Sequence, residues 1–219
     1  DVVLEVEALC AGPLRDISFS VRAGEIVGIG GLVGSGRTSL LLTLFGHLPP
    51  SSGQVRLNGK PVRFRSPADA IRSGLALIPE ERRTQGLLAH RTVRENVVLA
   101  HLSDFRRRAR LPSPSRSQET ERTVSEIARL RIATTGPEQR ISTLSGGNQQ
   151  KALLSRWLVG RQTRMLMLDE PTKGVDVGAK TEILRLVSQL ASEGVAVLVA
   201  SSALEEGSAI AHRAPVHQD

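Results

Sequence analysis

The 219-residue sequence predicts an α/β fold: a mainly parallel central sheet, an antiparallel β subdomain near the N-terminus and an inserted α-helical subdomain. Three observations predict it. Apolar runs at residues 25–30, 75–78 and 165–168 have the composition of strands buried on both faces. Strand-like and helix-like segments alternate at both ends of the chain, the order that places crossover helices on a parallel sheet. Between those ends, residues 92–160 read mostly as helix and set off a separate lobe, leaving about 1–91 and 161–219 as the core lobe.

Each element follows from local chemistry. Residues 2–9 and 17–21 alternate weakly and predict strands. The run 25–30 feeds a glycine-rich turn, and 38–45 then reads as a helix with Gly46 as its stop. Residues 54–58 and 62–64 predict edge strands around the turn Asn58-Gly59. Ser66-Pro67-Ala68-Asp69 fits a capping box with proline at the first helical position, and that helix stops near Gly74. Residues 93–102 look helical, 103–117 a proline-marked loop, and 119–130 a helix with apolar spacing at Val124, Ile127 and Leu130. Ser145 caps a helix running to Leu158. A strand at 165–168, a helix at 179–190 and a strand at 195–200 complete the pattern, with no internal repeat.

Composition narrows the class. The hydrophobic fraction is 40% and the length is enough for a sizeable core. No apolar run reaches the roughly 18 residues that span a bilayer. Asp1 stands where a methionine would open a gene product, which reads as a segment of a longer polypeptide. Cys10 is the single cysteine, so no internal disulfide forms, and a small buried hydrophobe is its expected role. The formal charge of +7 permits nucleic acid or an anionic membrane surface as a neighbour. Its densest cluster, Arg106-Arg107-Arg108 with Arg110 and Arg116, lacks interleaved aromatics, so a solvated connector near acidic lipid is the preferred reading and no nucleic acid is expected.

Residues Gly31-Leu32-Val33-Gly34-Ser35-Gly36-Arg37-Thr38 keep the spacing G-x-x-x-x-G-K-[ST], with arginine in place of lysine. Glycines let backbone N–H groups curl around phosphate oxygens at a helix N-terminus whose dipole favours anions. The candidate phosphate-binding residues are Gly31, Val33, Gly34, Ser35, Gly36, Arg37, Thr38 and Ser39, with Thr38 offering a hydroxyl to Mg²⁺. Arg37 keeps the charge and adds a donor fork, but is bulkier than a lysine, so binding survives better than transition-state geometry. Asp169 and Glu170 sit at the C-terminal edge of an apolar strand, where open α/β sheets bind ligands. Asp169 suits Mg²⁺ through water, and Glu170 suits polarising a water.

Taken together, that loop, Leu144-Ser145-Gly146-Gly147-Asn148-Gln149-Gln150 and Leu168-Asp169-Glu170-Pro171-Thr172 resemble the ATP-binding cassette of ABC transporters, a P-loop NTPase fold. The segments IPEERRTQGL, LSGGNQQK and DEPTKGVDVGAK look like the second cassette of the tandem monosaccharide-import ATPases of the ribose, xylose and galactose type, in which arginine is common at the lysine position.

The resemblance implies ATP and Mg²⁺ as cofactors and a serine–glycine signature (Leu144, Ser145, Gly146, Gly147, Asn148, Gln149) that contacts ATP bound to a partner cassette. It implies Asp176 in a loop crossing the dimer interface, and Glu80 at the usual glutamine position, touching Mg²⁺ and the membrane subunits. Residues 92–97 fall where those subunits dock; a capped surface helix start is the equally weighted alternative. The implied partners are a second cassette on the same polypeptide, two permease subunits and, indirectly, an extracytoplasmic sugar-binding protein. The implied place is the cytoplasmic face of the bacterial plasma membrane.

Some positions depart from the family. Ser202 stands where most cassettes carry a catalytic histidine, and a serine carries no charge near neutral pH. Tyrosine is absent from the chain, and no aromatic lies near residues 9–14 to stack on adenine. After Glu206 the expected apolar run is replaced by a stretch holding Pro215, so the C-terminal end reads as truncated. His212 and His217 read as exposed residues. Two functions compete: an ATPase engine, favoured by the intact Glu170, and a largely non-hydrolytic cassette that presents its signature to a partner, favoured by Arg37 and by Ser202 at the catalytic histidine position. DNA-repair or translation cassettes fit less well, and a GTPase or kinase would not explain LSGGNQQ.

Overall fold

A computed structural model describes residues 1–32, 34–105, 115–159 and 163–202. The chain divides into two compact units: Asp1–Glu80, Thr163–Pro171 and Leu184–Asp219 form the first, Glu81–Gln162 and Thr172–Ile183 the second. The helical unit therefore begins before residue 92 and takes in residues 172–183, which the sequence assigns to the core lobe.

In the first unit, β1 (Val2–Ala11) and β2 (Leu14–Arg22) form a hairpin, and strand β3 (Ile26–Ile29) follows. Helix α1 (Arg37–Leu44) comes next, then strands β4 (Ser52–Leu57) and β5 (Lys60–Val62). The antiparallel sheet has the order β2-β1-β4-β5, with Val6 opposite both Phe19 and Val55. The hairpin is longer than the weak alternation implied because Leu4, Leu9, Leu14 and Val21 bury completely along it. Strand β5 ends at Val62, so Phe64 lies beyond it. Gly46, with φ 74, ends α1 in the left-handed region.

Helix α2 (Pro67–Arg72) starts at Ser66, whose Oγ accepts from Asp69 N at 3.3 Å. The second arm differs from the expected box: Asp69 accepts from Arg65 N, one residue earlier, at 3.1 Å. Strands β6 (Leu75–Ile78), β7 (Met165–Asp169) and β8 (Ala196–Ala200) join β3 in a parallel sheet of order β3-β8-β7-β6. β7 pairs on both sides, and all five of its residues are buried, as an apolar run without alternation requires.

In the second unit, α3 (Val93–Val98) opens on a complete capping box. Thr92 Oγ1 accepts from Glu95 N at 3.1 Å, and Glu95 accepts from Thr92 N at 2.9 Å. The predicted helix does not continue to residue 102 as one piece. A 3₁₀ stretch, Leu99–Phe105, takes over, with His101 out of helical conformation and its ring edge-on to Trp157. Helix α4 (Arg116–Arg129) buries Glu119, Thr123 and Glu126, whereas Val124 is 49% exposed. Leu130 is buried and Ile127 half-buried, so only Val124 departs from the predicted stripe, while Glu119 turns inward to meet Arg94 at 2.5 Å. Helix α5 (Gly146–Leu158) follows, and α6 (Val177–Ser192) starts in this unit, its residues from Leu184 on belonging to the first.

Within α5, Arg156 is buried and donates to Asn96 O at 2.8 Å and Gly86 O at 2.7 Å; burial pushes its guanidinium down to about 10. No helix among the described residues is long and apolar enough to cross a membrane. Cys10 is half-exposed rather than buried, its Sγ accepting from Asp16 N at 3.3 Å. Most of the arginine cluster, His212, His217 and the stretch holding Pro215 lie outside the described residues.

Candidate functional site

The first unit brings the glycine-rich loop and the acidic strand end together. Strand β3 delivers the chain into the loop, and α1 leaves it with Gly36 as N-cap at φ 90. No side chain caps that helix, so its first N–H groups face the loop. Gly31 is required by space: a Cβ there would sit 2.5 Å from Ser35 Oγ. Ser35 Oγ is itself buried and, among the described residues, has no hydrogen-bond partner. An orphaned donor inside a curl of backbone amides fits a phosphate group. Ser39 follows on α1, and its carbonyl accepts from Thr43 Oγ1 at 2.7 Å. Val33 lies outside the described residues.

Thr38 Oγ1 donates to Asp169 Oδ2 at 2.7 Å, joining the loop to the end of β7. Burial raises the Asp169 carboxyl above its ordinary range; the Thr38 bond opposes this, while the charges of Glu80 and Glu170 add to it. A hydroxyl beside mutually repelling carboxylates fits a divalent cation. No group of three or more His, Cys, Asp or Glu among the described residues forms a cage of its own, and Mg²⁺ ordinarily takes one or two carboxylates and completes its shell with phosphate and water.

Arg37 does not point freely into the loop. Its Nη1 lies 2.9 Å from Glu170 Oε1, with side chains only 10% and 13% exposed. Ser202 N donates to the same oxygen at 2.6 Å. Ser202 thus meets Glu170 through its backbone amide. Glu170 has φ 45, a left-handed conformation unfavourable for a residue with a Cβ, and its N donates to Ala200 O at 2.9 Å. The strand end is locally strained and tied down by its neighbours.

The second unit holds the serine–glycine segment. Ser145 is exposed and caps α5, accepting from Asn148 N at 3.4 Å and Asn148 Nδ2 at 2.9 Å. Gly146 is half-exposed. Gly147 is buried because a Cβ there would overlap the Ala179 Cβ. The remaining predicted signature residues work inside the fold. Leu144 is a core residue, and Gln149 donates to Leu144 O at 3.1 Å and Ile141 O at 3.3 Å. This segment can therefore present Ser145 and Gly146, but not the side chains of Leu144 or Gln149, and the Asn148 amide is engaged by Ser145 Oγ and by Ala133 N at 2.8 Å. Asp176 is exposed, and its Oδ1 accepts from Ala179 N at 2.9 Å at the start of α6. In 92–97, Val93, Arg94, Asn96 and Val97 are buried, so the capped helix start is realised without being a surface helix.

Sequence reasoning missed Arg82, buried among the 81–86 segment, Gln149 and the carbonyls of Lys173 and Gly174. The only signal available was its place within IPEERRTQGL.

Comparison with known proteins adds a family. The family model described as ABC transporter matches residues 14–173. The ribose import ATP-binding protein RbsA of Pseudomonas putida is 49% identical over 206 residues, covering 94% of this chain and 40% of that protein. The xylose import ATP-binding protein XylG of Burkholderia cenocepacia is 48% identical over 222 residues, covering 97% and 42%. The chain spans about two fifths of the length of these relatives. Among solved structures, a nucleotide-free ATP-binding cassette from an ABC transporter superposes with a TM-score of 0.82 at 21% identity, covering 96% of this chain and 85% of that one. The ADP- and phosphate-bound dimer of the cassette MJ0796 gives 0.76 at 20%, covering 93% and 90%. At these identities the likeness speaks for the fold.

Proposed function

The chain belongs to the ABC transporter family, and from that premise we propose that it is an ATP-binding and ATP-hydrolysing cassette that drives uptake of a monosaccharide or related small solute. Its partners are a second cassette on the same polypeptide and two transmembrane permease subunits, fed by an extracytoplasmic sugar-binding protein. It works at the cytoplasmic face of the membrane. The names of the relatives support the solute class, and their greater length supports the tandem partner.

One observation carries the reading. The chain holds two unlike half-sites: a loop with an orphaned Ser35 hydroxyl beside Thr38 and Asp169, and an exposed serine-capped helix end at Ser145. The backbone of 34–38 and Arg37 grip the triphosphate tail, while Ser145 and the amides of α5 close over the nucleotide of the facing cassette. Thr38 and Asp169, with Glu80 nearby, would hold Mg²⁺, which neutralises charge on the terminal phosphates. Glu170 takes the proton of a water whose oxygen attacks the γ-phosphorus as the bridging P–O bond breaks, giving ADP and phosphate.

A second reading is favoured by the Arg37–Glu170 pair: this site binds ATP, hydrolyses slowly, and serves chiefly to present its signature. Single-turnover hydrolysis in the full-length protein separates the two. Glu170→Gln is compared with the equivalent change in the other cassette; loss of turnover only from the latter selects the second reading. Absence of ATP binding by both cassettes would overturn both readings.

A further inference from the structure

Arg82 is a buried cation with neutral partners. It is the first residue of a five-residue π-helical turn, Arg82–Gly86, and is 9% exposed. Nη1 donates to Lys173 O at 2.8 Å, Nη2 to Gly174 O at 2.9 Å, and Nε reaches Gln149 Oε1 at 3.4 Å. It makes no ion pair among the described residues. A guanidinium suits this place because its planar fork can satisfy two adjacent carbonyls at once.

Two segments converge on that fork. Gln149 passes the link to the carbonyls of Ile141 and Leu144, just before Ser145. Gly146 lies against the guanidinium: a Cβ there would be 2.7 Å from Arg82 Nη2 and 3.0 Å from Gly174 O. The turn that carries Lys173 and Gly174 leads directly to Asp176 at the start of α6. At the other end of the π-helical turn, Gly86 O is held by Arg156 at 2.7 Å. The 81–86 segment is thereby fixed at both ends, and a surface ion pair between Glu81 and Lys173 at 2.9 Å runs alongside.

We propose that Arg82 is a positioning residue that locks the 173–176 turn to the first turn of the signature helix, so that Ser145, Gly146 and Asp176 present one rigid surface to the facing cassette's nucleotide. The inference rests on the proposed function of that surface. Arg82 touches no substrate. It sets the geometry of groups that do, and its buried charge adds to the positive end of α5, which favours an approaching phosphate.

The test uses the full-length polypeptide with its membrane subunits, measuring ATP turnover at the site completed by this signature. Arg82→Gln is expected to lower kcat at least tenfold with little change in KM, while MgATP binding to this chain's own loop stays at the wild-type level. Hydrogen exchange should quicken at the amides of 173–176 and 144–149. Gly146→Ala, which pushes on the guanidinium from the other side, should give the same loss, and the double variant should be no worse than either single one. Full turnover by Arg82→Gln, or additive losses in the double variant, overturns the proposal. If Arg82→Gln fails to fold, Arg82→Lys carries the test, since a single ammonium nitrogen lacks the planar fork that spans both carbonyls. An intact kcat there is equally fatal. Ser145→Arg separates the two levels of argument: if blocking the signature leaves turnover untouched, the proposed function has failed and not merely the role of Arg82.

Discussion

Arg37 Nη1 and Glu170 Oε1 lie 2.9 Å apart, so the cation of the phosphate loop is spent on the carboxylate at the strand end. Both side chains are nearly buried, and the Ser202 amide binds the same oxygen. A nucleotide tail must therefore compete with Glu170 for Arg37. Glu170→Gln is expected to tighten MgATP binding to this cassette by about 5–10-fold, the size of one partly buried charge contact. In an Arg37→Ala background the same change should leave affinity unaltered. Titration with a fluorescent ATP analogue checks both; equal tightening in the two backgrounds would remove the competition argument.

The loop and the strand end were legible because each is a local pattern. Glycine spacing, a hydroxyl and an apolar run ending in two carboxylates need no knowledge of distant residues. The Arg37–Glu170 pair was not legible, as 133 positions separate its members. The same applies to Arg94, Arg82 and Arg156, whose partners come from other segments. A lone arginine in sequence reads as a solvated charge, yet each of these is buried. On α4 the one departure has a related cause: Leu130 is buried as its spacing implies, whereas Glu119 enters the interior with its countercharge and Val124 stays outside. Gln149 looked like part of a ligand-facing motif, but its amide is used up on backbone carbonyls.

Gly147 packs against Ala179, joining the first turn of α5 to the start of α6. Gly147→Ala should lower stability by about 1–3 kcal/mol, the usual range for overpacking a filled site. Ala179→Gly in the same chain should recover part of that loss, because it removes the atom in the way. Denaturant unfolding of the single and double variants provides the comparison. An Ala179→Gly change that only adds destabilisation would show that the contact is not what excludes a side chain from position 147.

Arg94 bridges two carboxylates in the helical unit, Glu119 at 2.5 Å and Glu138 at 2.7 Å. Arg94 and Glu119 are only 10% and 5% exposed, so deleting the cation strands a buried charge. Arg94→Met should cost about 3–5 kcal/mol, and much of that should return when Glu119→Leu is added. Acid should act on the same cluster. The bond from Arg94 holds the Glu138 carboxyl below its ordinary value of 4.5, and the Thr92 amide does the same for Glu95 at the start of α3. For a carboxyl lowered on folding, the stabilisation is complete above about pH 4.5 and disappears as pH falls through the folded-state value, since only the unfolded chain takes up the proton in that window. Melting temperature should therefore fall between pH 5 and pH 3, and Glu138→Gln should flatten that fall by its own share. A slope that Glu138→Gln leaves unchanged would assign the acid sensitivity to other carboxylates.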